Sequence, residues 1–234
     1  MSESRPLGIS AFVRCRNEEE YIVASLLSSY RVFDEIVVIL NNSTDRTRAL
    51  VEDLMTDHPR IRLTEYSQEC APAGPGYGAI VEQHPERGLA RYYNWCLERT
   101  TFSHVCKWDG DMIALPSFGG VRDLIANNDV IAFSGWDVLD EPTVDYESRI
   151  FRYDPLHTRY ADWDLYEVLR HEYTHVARFD PQCYLHMKLV KKEWVHRQWV
   201  SPNEFATSAY PAPGQVPAPK RRGLRSVLGR LMRR

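Results

Sequence analysis

Two aspartates separated by one glycine, Asp109 and Asp111 in KWDGDMIAL, close an apolar, aromatic-flanked run, SHVCKW, and a second apolar run begins directly after them. Two carboxylates one residue apart repel each other unless a positive charge sits beside them. A hard divalent cation, Mg2+ or Mn2+, suits such oxygen ligands and completes its shell with substrate phosphates. An Asp-Gly pair is also a common hairpin turn; the apolar, non-alternating run ahead of it weighs against that reading. A second group with chemistry in its spacing is HEYTH, His171 to His175, which matches H-E-x-x-H. On a helix its two histidines would share one face and hold zinc, with Glu172 as the base of peptide hydrolysis. This zinc metallopeptidase alternative leaves the paired aspartates unexplained and competes with the plainer reading of a charged helix face.

The hydrophobic pattern predicts the elements that must position these groups. GISAFVRCR (8–16) reads as a strand, and NEEEYIVASLLSSY as a helix capped at Asn17, with Ile22, Val23, Leu26, Leu27 and Tyr30 on one face. EIVVIL (35–40) is a strand apolar throughout, as in a parallel sheet covered on both faces. NNSTD leads into a helix over 44–56, and RIRLTEY (60–66) is a third strand. Strand, helix, strand, helix, strand is the order of a doubly wound α/β sheet, whose ligands bind beyond the carboxyl ends of its strands. RCRNEE, NNSTD and DGD all fall at such ends.

Further along, SQECAPAGPGYGAIVEQHPERG is a long Gly- and Pro-rich loop of the functional kind. LARYYNWCLERT reads as a helix, HVCKWD as a fourth core strand and PSFGGVRDLIANN as a short helix. DVIAFSGWDVL and ESRIFRY read as strands, ADWDLYEVLRHEYTHVARF as helical in part, and QCYLHMKLVKKEWVHRQW as an extended piece entering a helix.

Four of these segments together, RNEE, NNSTDRT, YYNW and KWDGDM, resemble the family 2 glycosyltransferases of GT-A fold, over about residues 8 to 200. The resemblance implies a single α/β domain, 1–210, with a mostly parallel, Rossmann-like sheet flanked by helices. It implies a metal-dependent, inverting hexosyl transfer from a nucleotide-sugar to a hydroxyl acceptor. By this likeness Asp109 would lie near the ribose and the metal, Asp111 would be the direct metal ligand, and His186 in YLHMK would complete the site. Arg14, Asn17, Glu18, Asn41, Asp45, Arg91 and Asn94 would line the nucleotide-sugar with Asp109. Arg149 and Arg152, in a strand similar to the family's E-x-R-x-F-R, would reach the diphosphate or the acceptor.

Two departures from the family's pattern stand out. Tyr93 occupies the place of an arginine, with Arg91 as a nearby substitute. Asn41 stands where a carboxylate usually meets the base; its amide oxygen can accept the N3–H of uracil or thymine but matches the two adjacent donors of guanine less well. A UDP-sugar is therefore the expected donor. The metal stabilises the charge that develops on the leaving nucleoside diphosphate. The acceptor hydroxyl needs a base, and the candidates after the paired aspartates are Asp137, Asp164 and Glu167.

Composition bounds the rest. The chain has 234 residues, 44% hydrophobic and 26% charged, as befits a globular domain with a sizeable core. Its five cysteines include no CxxC pair, and its N-terminus carries no secretory signal, which points to the cytoplasm. YPAPGQVPAP contains a proline-rich linker (211–219). Beyond it, residues 220–234 carry seven of the basic charges and no acid, with Leu224, Val227, Leu228, Leu231 and Met232 at helical spacing. This tail suits an anionic membrane surface, such as the inner face of a plasma membrane, and with it an acceptor that is an envelope glycan or lipid-linked precursor. The body ahead of it is acidic, which argues against nucleic acid as a partner. Two alternatives keep part of the pattern: a non-catalytic sugar- or nucleotide-binding module, using Trp108, Trp136 and Trp163 but needing no metal dyad, and a nucleotidyltransferase, which would need a Gly-rich loop that VRCRNEEE lacks.

Overall fold

A computed structural model of the chain describes residues 5–138, 146–188 and 190. In chain order its first half contains β1 (Ile9–Cys15), α1 (Ile22–Ser29), β2 (Glu35–Leu40), α2 (Thr47–Asp57), β3 (Ile61–Glu65), α3 (Tyr77–Gln83), α4 (Leu89–Leu97), β4 (His104–Asp109) and β5 (Met112–Ala114). The second half adds β6 (Val130–Phe133), β7 (Trp136–Asp137), β8 (Glu147–Arg152), β9 (Arg159–Asp162), β10 (Glu167–Arg170), β11 (Val176–Phe179) and β12 (Tyr184–His186). The proline-rich linker, the basic tail and the helix expected beyond β12 lie outside the described residues. Among the described residues no helix is long and apolar enough to cross a membrane.

The main sheet has seven strands in the order β11-β6-β8-β4-β1-β2-β3. β3, β2, β1 and β4 are parallel, β8 is antiparallel to both of its neighbours, and β11 runs parallel to β6. The continuous apolar runs of β1 and β2 follow from burial on both faces. Ile9, Ala11, Val13 and Cys15 join Ile22 and Leu26 of α1 and Val51 of α2 in one layer. Phe12 joins Leu89, Tyr93, Cys96 and Leu97 of α4 in the other.

The same period of two decides where charge enters the sheet. Phe12, Arg14, Lys107 and Asp109 share the α4 face, and the β1–β4 register sets Phe12 beside Lys107 and Arg14 beside Asp109. The carboxyl ends of β1, β2 and β4 are therefore adjacent, and the Asn41 N–H closes the gap to the Cys15 carbonyl at 2.9 Å.

A second sheet, β5-β12-β7, packs below this edge and sets His186 level with Met112 on one side and Asp137 on the other. β9 and β10 form a hairpin that α4 supports. Asn94 of α4 accepts the Tyr160 N–H at 2.8 Å and donates to the Tyr160 carbonyl at 2.9 Å.

Several local expectations are corrected. Residues 161–179, read as helical in part, contribute instead to the three strands β9, β10 and β11. The β-branched and aromatic residues of HEYTHVARF suit extended chain, and pairing with β6 and packing on α4 outweigh helical propensity. DVIAFSGWDVL is broken at Ser134 and Gly135 into β6 and β7, which join different sheets, and the Tyr184 ring leaves no room for a side chain at Gly135. The first helix begins at Ile22 without a side-chain cap; Asn17 instead takes a left-handed turn, φ 57°. PSFGGVRDL is a 3-10 helix, and the long Gly- and Pro-rich segment holds α3.

Candidate active site

The loops after β1 and β2 are bonded into one unit. Asn17 Oδ1 accepts the Thr44 N–H at 2.8 Å, and Ser43 Oγ accepts the Asn17 N–H at 3.1 Å. Asp45 accepts from the Glu19 N–H and from the N–H and hydroxyl of Thr47. These bonds hold its carboxyl below the usual range, outweighing the upward push of burial. Asp45 thus braces the loop pair, while Asn17 and Glu18 stand at its edge. Asn41, buried after β2, donates both amide hydrogens, to the Tyr66 and Gln68 carbonyls at 2.8 Å each. Its carboxamide oxygen is thereby fixed as the group's acceptor.

On the α4 face, Asp109 sits between two guanidiniums. Its Oδ1 is bonded to Arg14 and its Oδ2 lies 3.3 Å from Arg149. Burial alone would raise the Asp109 pKa; Arg14 first and then Arg149 reverse this and hold it far below the carboxylate range. Arg14 also bonds the Tyr93 hydroxyl and lies over its ring at 4.5 Å. Lys107 meets the same ring at 4.9 Å and bonds Glu167 at 3.0 Å. Burial and then repulsion from Arg14 lower the Lys107 pKa, with Glu167 and Asp109 opposing. Arg149 is completed by Glu147 at 2.9 Å, an acid on the open rim. Three cations, Arg14, Lys107 and Arg149, are thus balanced by Asp109, Glu167 and the half-exposed Glu147, and the two guanidiniums are the groups suited to bonding an anionic ligand.

Two residues further, Asp111 points the other way, to the small sheet. Its Oδ1 lies 3.3 Å from His186 Nε2, and His186 Nδ1 lies 2.7 Å from Asp137 Oδ1. Burial lowers the His186 pKa, but its bond to Asp111 and the charges of Asp111, Asp109 and Asp137 leave it raised. Asp111 and His186 fit a hard divalent cation as an oxygen and a nitrogen ligand directed at one spot. Among the described residues no group of three or more His, Cys, Asp or Glu is gathered to hold a metal, so such an ion would draw its remaining ligands from substrate oxygens and water. Asp109, expected from the resemblance among the ligands, has both oxygens occupied by arginines.

The other expected residues divide clearly. Arg149 reaches the cluster. Arg152 does not: it pairs in register with His104 at the opposite end of β4 and binds Asp129 at 2.7 Å, because β8 runs antiparallel to β4. Asn94 is occupied by the Tyr160 backbone, and Arg91 is exposed on α4 beside the Tyr66 phenol, whose rise in pKa it opposes. Asp164 is exposed in the β9–β10 turn, its carbonyl accepting the Gly78 N–H. HEYTH is not helical: His175 binds Asp129 at 3.2 Å, and Glu172 is 83% exposed beside His157, so the one-face geometry that zinc would need is absent.

Sequence reading missed Lys107 and treated Tyr93 as a mere departure. A lone lysine in a buried strand, two residues before an aspartate, was the available signal, since it requires a nearby acid on the same face.

Gly110 is explained by packing. A side chain there would meet Cys15 Sγ and Glu18 Cγ at 2.9 Å and the Arg14 carbonyl at 3.3 Å. Gly110→Ala is expected to cost about 1–3 kcal/mol, read as a lower urea midpoint at unchanged slope. An unmoved midpoint would mean that the loop after β1 yields freely.

A family model described as Glycosyl transferase family 2 matches residues 10–180. Among solved structures, S. aureus TarS 1–349 is 15% identical with a TM-score of 0.53, covering 77% of this chain and 60% of that one. A longer S. aureus TarS structure is 16% identical at the same TM-score, 0.53, covering 77% and 36%. The Mycobacterium tuberculosis glucosyl-3-phosphoglycerate synthase in complex with Mn2+, UDP and phosphoglyceric acid is 20% identical, with a TM-score of 0.38, covering 57% and 44%. The chain thus spans less than two thirds of the TarS chains it matches. No curated protein matches its sequence.

Proposed function

The chain belongs to glycosyl transferase family 2, and we propose that it is an inverting, metal-dependent enzyme moving a sugar from a UDP-sugar to a hydroxyl acceptor. The observation that carries this reading is the convergence, at the carboxyl ends of β1 and β4, of the Arg14–Asp109–Arg149 guanidinium cluster and a divergent Asp111–His186 pair. Open α/β sheets bind their ligands at this edge.

In this proposal the Asn41 carboxamide oxygen accepts the uracil N3–H, and Arg14 and Arg149, held in place by Asp109, face the diphosphate. Asp111 and His186 hold Mn2+ or Mg2+. When bound, the ion offsets the negative charge developing on the leaving nucleoside diphosphate. The acceptor hydroxyl transfers its proton to a carboxylate as it attacks, in one displacement without a glycosyl-enzyme intermediate. Of the three candidate bases, Asp137 is tied to the Asp111–His186 pair and is 41% exposed; Glu167 is committed to Lys107. The acceptor is a glycan or a lipid-linked precursor, brought close if residues 220–234 lie on an anionic membrane.

A thermal-shift comparison of UDP and GDP, each with and without Mn2+, tests the donor. Saturating UDP with Mn2+ at about 100 times its Kd is expected to add about 2.7 kcal/mol, with GDP adding less. Equal or greater stabilisation by GDP would remove the role given to Asn41, and no nucleotide effect at all would remove the donor site.

A further inference from the structure

We propose that Asp137 is a positioning residue for the metal site: by holding His186 Nδ1 it aims Nε2 at Asp111, a role separate from any part it takes in deprotonating the acceptor. This rests on the metal reading above, and its test separates the two.

The geometry is built into the small sheet. β12 lies between β5 and β7, and its register sets His186 opposite Met112, next to Asp111, on one side and opposite Asp137 on the other. Backbone bonds lock both sides: the Met187 N–H donates to the Asp111 carbonyl at 2.9 Å, and the Val138 N–H donates to the His186 carbonyl at 3.1 Å. Between these fixed chains the imidazole has one soft degree of freedom that matters, the orientation of its ring. The 2.7 Å contact from Nδ1 to Asp137 Oδ1 removes it. With Nδ1 as the donor, Nε2 is the nitrogen left to face Asp111 at 3.3 Å. A histidine ligand is oriented in this way when its second nitrogen donates to a carboxylate, which also makes the ligating nitrogen more basic. His186 is the more buried partner, 15% exposed in its side chain, whereas the Asp137 side chain is 41% exposed, so the carboxylate can be changed with little loss of core packing.

The probe is Mn2+ itself, titrated by electron paramagnetic resonance against the full chain with and without saturating UDP and no acceptor, so that no turnover is involved. Loss of an orienting partner of this kind weakens metal binding roughly 10–100-fold. Asp137→Ala is expected to show that loss. Asp137→Asn keeps a carbonyl oxygen to accept from Nδ1 and is expected to bind Mn2+ within about threefold of wild type, while losing turnover if the same carboxylate is the base. Adding His186→Ala to Asp137→Ala should weaken binding little beyond His186→Ala alone, because the two act through one contact. Wild-type affinity in Asp137→Ala overturns the positioning role. So does an Asp137→Asn as weak as Asp137→Ala, since charge rather than orientation would then be what Asp137 supplies. Additive losses in the double variant overturn it as well. A wild-type protein that binds no Mn2+ with or without UDP removes the metal reading itself.

Discussion

Asp109→Asn is expected to destabilise the fold by roughly 3–5 kcal/mol, although Asp109 belongs to a motif that the family likeness associates with metal and nucleotide. Its two oxygens hold Arg14 and Arg149, whose side chains are 24% and 6% exposed. Without the carboxylate, two guanidiniums and the Lys107 ammonium remain in one cluster, with Glu167 bonded to Lys107, the half-exposed Glu147 bonded to Arg149, and no acid bonded to Arg14. Breaking a buried ion pair on one side costs far more than the pair contributes, because the remaining charge cannot recover its hydration. At about 2–4 °C per kcal/mol for a chain of this size, the midpoint should fall by roughly 6–20 °C. The pH dependence follows from the depressed pKa of Asp109. A carboxyl whose pKa is lower in the folded state contributes its full stability above the unfolded value, about 3.9, and loses it as pH falls towards the folded value. The gap between wild type and Asp109→Asn in urea midpoint should therefore be full at pH 7 and narrower at pH 3. Equal midpoints at pH 7 would refute the assignment of Asp109 as the clamp of the two arginines.

Asp111→Asn is expected to do the opposite: leave the fold within about 1 kcal/mol of wild type and lower the transfer rate on the order of 10³-fold. Asp111 is buried, but its carboxylate faces His186 at 3.3 Å instead of closing a guanidinium cluster. Its loss removes one of two protein ligands from a cation whose share in stabilising the leaving group is worth several kcal/mol. Single-turnover transfer with Mn2+, alongside thermal unfolding, reads both halves of the expectation. A variant that folds normally and still transfers sugar at the wild-type, Mn2+-dependent rate would show that Asp111 holds no catalytic metal. Two aspartates one residue apart thus separate experimentally, one through stability and the other through rate, because β4 ends at Asp109 and the turn at Gly110 and Asp111 carries the second carboxylate to His186 of β12.

Much of this site was legible before any coordinates. RNEE, NNSTD and DGD were placed at strand ends, and they meet at one sheet edge. Arg149, expected near the diphosphate, lies beside Asp109, and His186, expected at the metal, lies beside Asp111. Arg152, three residues on and so on the other face of the strand, lies at the far end of β4 on Asp129, because β8 runs antiparallel to β4. Tyr93 was seen as a missing arginine; the structure supplies a guanidinium to its hydroxyl from Arg14, on a different element.

What the sequence determined by itself was local and periodic. Apolar stretches, continuous in EIVVIL and interrupted by single polar residues in GISAFVRCR and HVCKWD, defined the core strands, and the polar clusters after them marked the edge where chemistry collects. Tertiary structure decided the partners. That Asp109 is held by arginines while Asp111 is left to His186, that Asp137 meets the far side of that imidazole, and that residues 161–179 form strands instead of a partial helix all depend on contacts between segments far apart in the chain. The free energy of such contacts comes from desolvated charge and strand pairing, which no local pattern encodes.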